Sequence, residues 1–423
     1  MNSQFALFKE RRFWPFFLVQ CGGAFNDNLM KSAVVVLIAY GLWDVGSMNA
    51  GALVAFAAAL FILPFILFCP LAGDLTDKYS KNAIIRTVKI AEVGIVLFAI
   101  PALLFHSTAL SFIVLLALGT HSAFFSPAKF AILPQHLKEE ELIAGNGLVG
   151  SGTYLSILMG TIAGTLLAPL AGGIVYVAIL LLMMAGGGLA ASFLIPPAPP
   201  PAPDHAIKWN PLRSIRHAFI YARSQKPGVF PAILGVSWFY FVASGFHAQF
   251  PNFAKAEAGV DTNVLSLFMI LFSLGIAAGG MLNHRLLKGE ISTKFVPFAM
   301  LSAGLAGIDL CMAAHPESET LITLPEFIAT FSGWRILADL FILALAGGLY
   351  VIPLRALVQA RAKEHEKARV VAANSMIDAL LIFSSSLIAT IMLAAGFSVL
   401  HYFTGIALAC LAVAAFFFRK GHL

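Results

Sequence analysis

Ile195-Pro196-Pro197-Ala198-Pro199-Pro200-Pro201-Ala202-Pro203 is unlike any other stretch of this chain, and it divides the sequence in two. So dense a proline run lacks the N–H groups and the backbone freedom of a helix, and a stiff extended linker is expected there. On both sides lie apolar runs of membrane-spanning length, at about 13–42, 49–72, 84–104, 108–130, 143–168 and 172–195 before it and 229–254, 262–284, 293–313, 333–360, 368–394 and 397–418 after it. The expected fold is therefore an all-α membrane protein of twelve transmembrane helices in two pseudo-symmetric six-helix bundles. The expected boundaries are 1–195 for the first bundle, 196–228 for a cytoplasmic linker and 229–423 for the second.

Composition agrees. Of 423 residues 59% are apolar and 11% charged, whereas a soluble domain carries about 25% charge. The spans consume so much of the chain that no soluble catalytic domain fits beside them. An outer-membrane barrel is also excluded, because its alternating lumen-facing positions dilute the apolar content. The run from Phe13, preceded by Lys9, Arg11 and Arg12, continues past the length of a signal-peptide core and reaches no small-residue cleavage site, so it reads as a retained first helix. Cys21, Cys69, Cys311 and Cys410 stand alone, at neither metal-ligand nor redox spacing.

With both termini in the cytoplasm, nearly all of the 27 Lys and Arg fall on cytoplasmic segments; Lys255 and Arg335 lie outside, and Lys31 and Lys89 within spans. The positive-inside rule selects that orientation, and the basic balance implies no nucleic-acid partner. After the proline run, Leu212, Ile215, Phe219 and Ala222 recur at helical spacing with Arg213, Arg216, Arg223 and Lys226 off the stripe. That pattern is expected of a basic amphipathic helix on the inner leaflet, or of a solvated linker helix.

The halves echo one another. Ser126-Pro127-Ala128-Lys129 ends the fourth span and Ile352-Pro353-Leu354-Arg355 the tenth; each is followed by a polar connection and a helix-opening Asn, Asn146 or Asn374. Such internal repeats place a substrate between the halves near the midplane. The connection after the second span, Gly73-Asp74-Leu75-Thr76-Asp77-Lys78-Tyr79-Ser80-Lys81 with Arg86 beyond, sets an acid at a helix end beside several cations. Asp77, Lys78, Lys81 and Arg86 are expected to make charge-assisted bonds that break as the halves rock. This stretch resembles the signature loop of the major facilitator superfamily.

The first span holds the densest polar cluster, Gly22-Gly23-Ala24-Phe25-Asn26-Asp27-Asn28-Leu29-Met30-Lys31. Charges at membrane depth cost at least ~2.5–3.5 kcal/mol each and are functional candidates by default. Asp27 and Lys31, four apart, share a face on which they can pair, and Gly23 leaves space one turn earlier. Lys129 and Arg355 are candidate phosphate-binding cations, or ordinary cytoplasmic anchors; Asp378, one turn after Asn374, is the best second-half acid. Lys89 and Glu92 read as a local pair. No H-x-x-x-x-D acyltransferase spacing, phosphate-binding loop or zinc spacing occurs, so neither an enzyme nor a primary pump is expected, and no cofactor or metal.

Ala24-Phe25-Asn26-Asp27-Asn28, Phe125-Ser126-Pro127-Ala128-Lys129-Phe130-Ala131-Ile132-Leu133 and Gly145-Asn146-Gly147-Leu148 together resemble the lysophospholipid transporter family of that superfamily, and the likeness runs along the whole chain. It is similar too to the transporter portion of transporter–acyltransferase fusions. The resemblance implies movement of lysophospholipids, chiefly the phosphoethanolamine type, from the outer to the inner leaflet of a bacterial inner membrane for reacylation, with substrate roles for Asp27 and Lys129. Two positions depart from the pattern: Gly150 stands where many members carry Glu, and His247 aligns with an Arg of a well-known member. The expected substrate-binding set is Asn26, Asp27, Asn28, Lys31, Lys129, His247, Arg355, Asn374 and Asp378. The expected partners are the substrate, the bilayer and a separate cytoplasmic-side acyltransferase, the protein itself being a monomer. Two alternatives remain, a proton-coupled exporter of a small amphiphile or drug and a membrane scaffold for an acyltransferase.

Overall fold

In a hydrocarbon layer every backbone N–H and C=O must find a partner within its own segment, and helices satisfy that requirement. The structure, a computed structural model, describes residues 4–138, 141–200, 202–204, 207, 210–287, 292–314, 320–361 and 367–420. Residues 1–3, 421–423 and, in the expected linker, 201, 205–206 and 208–209 lie outside the described residues. The helices are α1 (Trp14–Ala39), α2 (Ala50–Lys78), α3 (Lys81–Leu104), α4 (Thr108–His136), α5 (Leu142–Leu167), α6 (Gly173–Ser192), α7 (Pro211–Arg223), α8 (Val229–Asn252), α9 (Thr262–Leu287), α10 (Val296–Ala313), α11 (Leu324–Ala329), α12 (Phe331–Arg361), α13 (Lys367–Ala394) and α14 (Val399–Lys420). A 3-10 turn precedes α1 and a π turn, Phe253–Glu257, prolongs α8.

Among the described residues, eleven helices are long and apolar enough to cross a membrane. The expected first span, α1, is 26 residues long but is not among them, because Gln20, Asn26, Asp27, Asn28 and Lys31 dilute its apolar character. The helix forms nonetheless, and Gln20, Asn26 and Asp27 bond neighbouring helices. Prolines interrupt α2, α3, α4, α8 and α12 without ending them.

The chain packs as two units. The first comprises Met1–Ile38, Leu42–Asp44 and Leu60–Pro211, the second Ala39–Gly41, Val45–Ala59 and Leu212–Leu423. Both are assembled from close helix pairs in which small residues admit a neighbour's backbone, the means by which helices associate where the hydrophobic effect does not act. In unit 1, a Cβ at Gly164 of α5 would lie 2.9 Å from the Ala33 amide of α1, and one at Gly119 of α4 would meet the Phe61 carbonyl of α2; α3 packs on α6. In unit 2 the pairs are α8 with α13, α9 with α12 and α10 with α14. First with fifth, second with fourth, and third with both fourth and sixth span are thus pairings shared by the two units, the structural form of the sequence echo.

The described residues of the proline run are not helical, as its composition dictates, but they are bound to unit 1. The Lys81 amide donates to the Ala198 carbonyl at 3.0 Å and the Ala202 amide to the Asp77 carbonyl at 3.1 Å. The Ala198 amide donates to Asn82 Oδ1 at 3.0 Å, and the side chains of Lys81 and Gln135 donate to the Pro199 carbonyl. Ile195 and Ala198 are buried in the same apolar core as Phe13, Phe16, Ile85 and Ile132. Beyond it α7 is shorter than the expected 207–226: Ala222 is buried, Ile215 and Phe219 are half-buried, and Leu212 is 80% exposed.

Two outcomes follow from this packing. Gly164→Val forces a branched side chain against the α1 backbone and is expected to cost about 1–3 kcal/mol, whereas Gly147→Ala, which meets nothing within 4 Å, leaves the melting temperature in detergent unchanged. Asn82→Ala removes the acceptor for the Ala198 amide, so hydrogen exchange at Ala198 is expected to accelerate while that in α3 stays slow.

Candidate functional site

Successive helix residues point about 100° apart, so the polar stretch of α1 reaches several neighbours at once. Asn26 Nδ2 donates to Glu92 Oε1 of α3 at 3.0 Å and to the Leu181 carbonyl of α6 at 3.2 Å. Asp27 faces α4, where the Ser122 hydroxyl donates to its Oδ2; its Oδ1 is buried with no hydrogen-bond partner among the described residues. Asn28 turns back onto the Ala24 carbonyl at 2.8 Å. Lys31 donates to Asn28 Oδ1 at 2.8 Å and lies over the Phe61 ring. The expected Asp27–Lys31 pair is therefore not formed: a better-placed hydroxyl takes the acid, and an amide and an aromatic face take the ammonium.

The space expected beside Gly23 belongs to Lys89. A Cβ at Gly23 would sit 2.9 Å from its Nζ, and this ammonium, wholly buried, is ion-paired with the equally buried Glu92. His121 Nε2 of α4 lies 3.4 Å from Glu92 Oε2, and its Nδ1 lies 3.5 Å from the Ser122 hydroxyl. Lys89 and Glu92, which spacing alone made a local pair, thus stand at the centre of a network joining α1, α3, α4 and α6. The signal was present in two charges and a His inside spans, opposite a glycine of the first span. An apolar groove of about 770 Å³ between α2, α3 and α4 is lined by Leu75, Ile84, Ile95, Ile113 and Phe124 and reaches His121, setting hydrocarbon-binding surface beside these polar groups.

A second rung joins α1, α4 and α5. Lys129 Nζ donates to the Thr153 hydroxyl at 2.7 Å, and Thr153 to Gln20 Oε1 at 2.7 Å. Lys129 is not at a helix end as expected, because α4 runs on through Pro127 to His136. Ser122 and Lys129 are seven residues apart on α4, as are Gln20 and Asp27 on α1. That spacing returns to the same face about 10 Å along the axis. An acid and a cation are thereby presented two turns apart on one helix pair. Thr153, Gln20, Ser122 and His121 were missed, since spacing within a span does not reveal which residue of another helix it meets.

In unit 2, Asp378 of α13 accepts from Ser237 of α8 at 2.6 Å and from Asn374 at 2.6 Å. Arg355, inside α12, is exposed, bonded to the Tyr240 hydroxyl and stacked over that ring at 5.2 Å. His247 is half-buried near the rings of Phe250 and Phe272. Asp309 is bonded to Arg335.

Of the expected gating residues, Asp77 and Lys81 carry the proline strap through their backbone, Lys81 also through its ammonium. Arg86 stacks on Phe193 at 4.6 Å, and Lys78 ends α2. Asp77 makes no salt bridge among the described residues. Nearby, outside the spans, Arg12 holds Glu141 by a two-point bond of 2.7 and 2.8 Å. That bond draws the Glu141 carboxyl below its ordinary range. No group of His, Cys, Asp and Glu among the described residues is fit to hold a metal ion.

Removing one partner of a buried ion pair leaves the other uncompensated, at about 3–5 kcal/mol. Lys89→Met is expected to destabilise the protein by that order in a thermal-unfolding assay, and Lys89→Met with Glu92→Met to recover much of the loss.

Comparison with known proteins bears on this geometry. The sequence matches the Major Facilitator Superfamily over residues 16–337. It is 25% identical over 349 residues to the lysophospholipid transporter LplT of Serratia proteamaculans, covering 80% of this chain and 78% of that one. It is 24% identical over 352 residues to LplT of Klebsiella pneumoniae, with the same shares covered. Among solved structures it resembles a peptide transporter POT in complex with sulfate, with TM-score 0.69, 15% identity and 96% of this chain and 93% of that one covered. It also resembles a bacterial homologue of the human lysosomal transporter Spinster, with TM-score 0.68, 16% identity, and 97% and 96% covered. The multi-pass helical fold, its repeated helix pairing and the match along most of its length lead to one conclusion: this chain belongs to the Major Facilitator Superfamily and is a secondary transporter, not an enzyme.

Proposed function

We propose that the chain carries lysophospholipids, with lysophosphatidylethanolamine as the best-fitting headgroup, from the outer to the inner leaflet of a bacterial inner membrane by alternating access. The observation that carries this reading is the pair of rungs on α1 and α4, Asp27 with Ser122 and Lys129 with Thr153 and Gln20. An acid suits an ammonium and a lysine suits a phosphate. Their separation of about two turns along the α1–α4 pair is one that a flexible lysine side chain spans in part. The similarity to transporters named for lysophospholipids supports the same substrate.

In this reading Asn26, Asn28 and Lys31 shape the acid's surroundings. Asn374, Asp378, Arg355 and His247 form the second half's contribution. Asp77, Lys78, Lys81 and Arg86 gate the cycle, with Ala198, Pro199 and Ala202 of the strap bonded to Lys81, Asn82 and Asp77 at the loop that must move. The distribution of Lys and Arg supports cytoplasmic termini, and the delivered lysophospholipid would be reacylated by a separate acyltransferase; a monomer suffices.

Proteoliposomes test this directly. The wild type is expected to move fluorescent lysophosphatidylethanolamine between leaflets. Asp27→Asn and Lys129→Ala, each losing a charge-assisted bond worth about 1.5–3 kcal/mol, are each expected to slow it about tenfold or more. Normal rates in both variants would remove the site, and no movement by the wild type, with a drug-like amphiphile moved instead, would replace the function by export.

A further inference from the structure

Helix α7, 13 residues long, divides cleanly into two faces. At about 100° per residue, Ile215, Ala218, Phe219 and Ala222 fall together on one side, where they are half-buried or buried. Leu212, Arg213, Arg216, His217, Ile220 and Arg223 fall within an arc of about 140° on the other, and all six are exposed. Most of the apolar stripe that spacing assigned to the leaflet is therefore covered, and a different face is presented outward.

That outward face is basic. From Arg213 to Lys226 the sequence holds four cations and no acid, and the nearest acids along the chain are Asp204 and Glu257. Among these charges Leu212 is 80% and Ile220 54% exposed. A face built only for water gains nothing from two branched aliphatic side chains. At a lipid headgroup layer such residues enter the acyl boundary, while the stems of neighbouring arginines reach back to the phosphates.

Position points to the same surface. Only residues 224–228 separate α7 from α8, and they are folded back on themselves: the Ser224 amide donates to the Ile220 carbonyl at 3.0 Å and the Val229 amide to the Lys226 carbonyl at 3.1 Å. The Pro227 carbonyl accepts from Arg361 Nη1, at the end of α12, at 3.1 Å. Both α8 and α12 are of membrane-crossing length and apolarity, so α7 is held at the edge of the apolar layer and not on a free tether.

We propose that the outward face of α7 docks on an anionic lipid headgroup layer, with Arg213, Arg216 and Arg223 on the phosphates and Leu212 and Ile220 as apolar anchors. Charge complementarity selects the occupant: near an anionic leaflet each such cation favours the docked state about fivefold. The dock depends neither on the cargo proposed above nor on which side of the membrane the termini lie.

The test is hydrogen exchange in the purified full chain, held in nanodiscs of phosphatidylcholine alone or of phosphatidylcholine mixed with phosphatidylglycerol. Exchange in α7 is expected to be slower in the anionic discs at low salt, while exchange in α8 is the same in both. Raising salt from about 0.1 M to about 1 M, which shortens the screening length from about 10 Å to about 3 Å, is expected to remove the difference. Arg213→Gln, Arg216→Gln and Arg223→Gln together are expected to lower the ratio of docked to free helix about a hundredfold, with exchange in α8 unchanged as proof of an intact fold. Leu212→Ser with Ile220→Ser is expected to weaken the dock while leaving its salt dependence. Equal exchange in the two discs at low salt overturns the proposal, and so does slowing that survives the triple arginine variant. Slowing supplied by soluble polyglutamate to the chain in phosphatidylcholine discs, with none from phosphatidylglycerol, overturns it in favour of an acidic protein segment.

Discussion

A charge inside a lipid-spanning bundle must be matched there, and the Lys89–Glu92 pair is where this protein meets that demand. Both side chains are wholly buried. Their attraction alone does not repay the loss of water, so the remaining valences are taken up by other helices: Asn26 from α1, His121 from α4, the small Gly23 and Gly188 making room for the ammonium. The pair thereby fixes how α1, α3, α4 and α6 face one another. It also fixes where Asp27 stands, one residue beyond Asn26 and turned toward Ser122. The candidate substrate acid is positioned as a consequence of how a structural charge is satisfied.

Around that centre the packing follows a rule of close approach. Helices in lipid gain little from apolar contact and associate where small residues let backbones meet. Gly164 against α1 and Gly119 against α2 do so in unit 1; Gly304, whose Cβ would lie 2.9 Å from the Ala407 carbonyl, does so in unit 2. A repeated pairing order is what two sequence halves with matching Pro–x–cation and Asn signals ought to build, although Asn146 and Asn374, expected to open their helices, lie inside α5 and α13.

Much of this was legible in the residues. Apolar run lengths give the spans because the bilayer sets a length, and the proline run has no helical option. Where the reading failed, tertiary context was the cause. Asp27 and Lys31 share a face, yet spacing within one helix cannot show that Ser122 and Phe61 compete for them. Lys89 and Glu92 are local in sequence, and only folding brings Asn26 and His121 to them. The proline run looked like a spacer because its own residues offer few donors. Its partners, Lys81, Asn82, Asp77 and Gln135, lie far away in sequence.

The account's central claim is that a one-tailed zwitterionic lipid is the cargo. The measurement that tests it most directly compares leaflet-to-leaflet movement of lysophosphatidylethanolamine and of diacyl phosphatidylethanolamine, labelled alike, in the same proteoliposomes. The account predicts that the lysolipid moves in a protein-dependent manner and the diacyl lipid at the rate of empty vesicles. Equal protein-dependent rates for the two would contradict it.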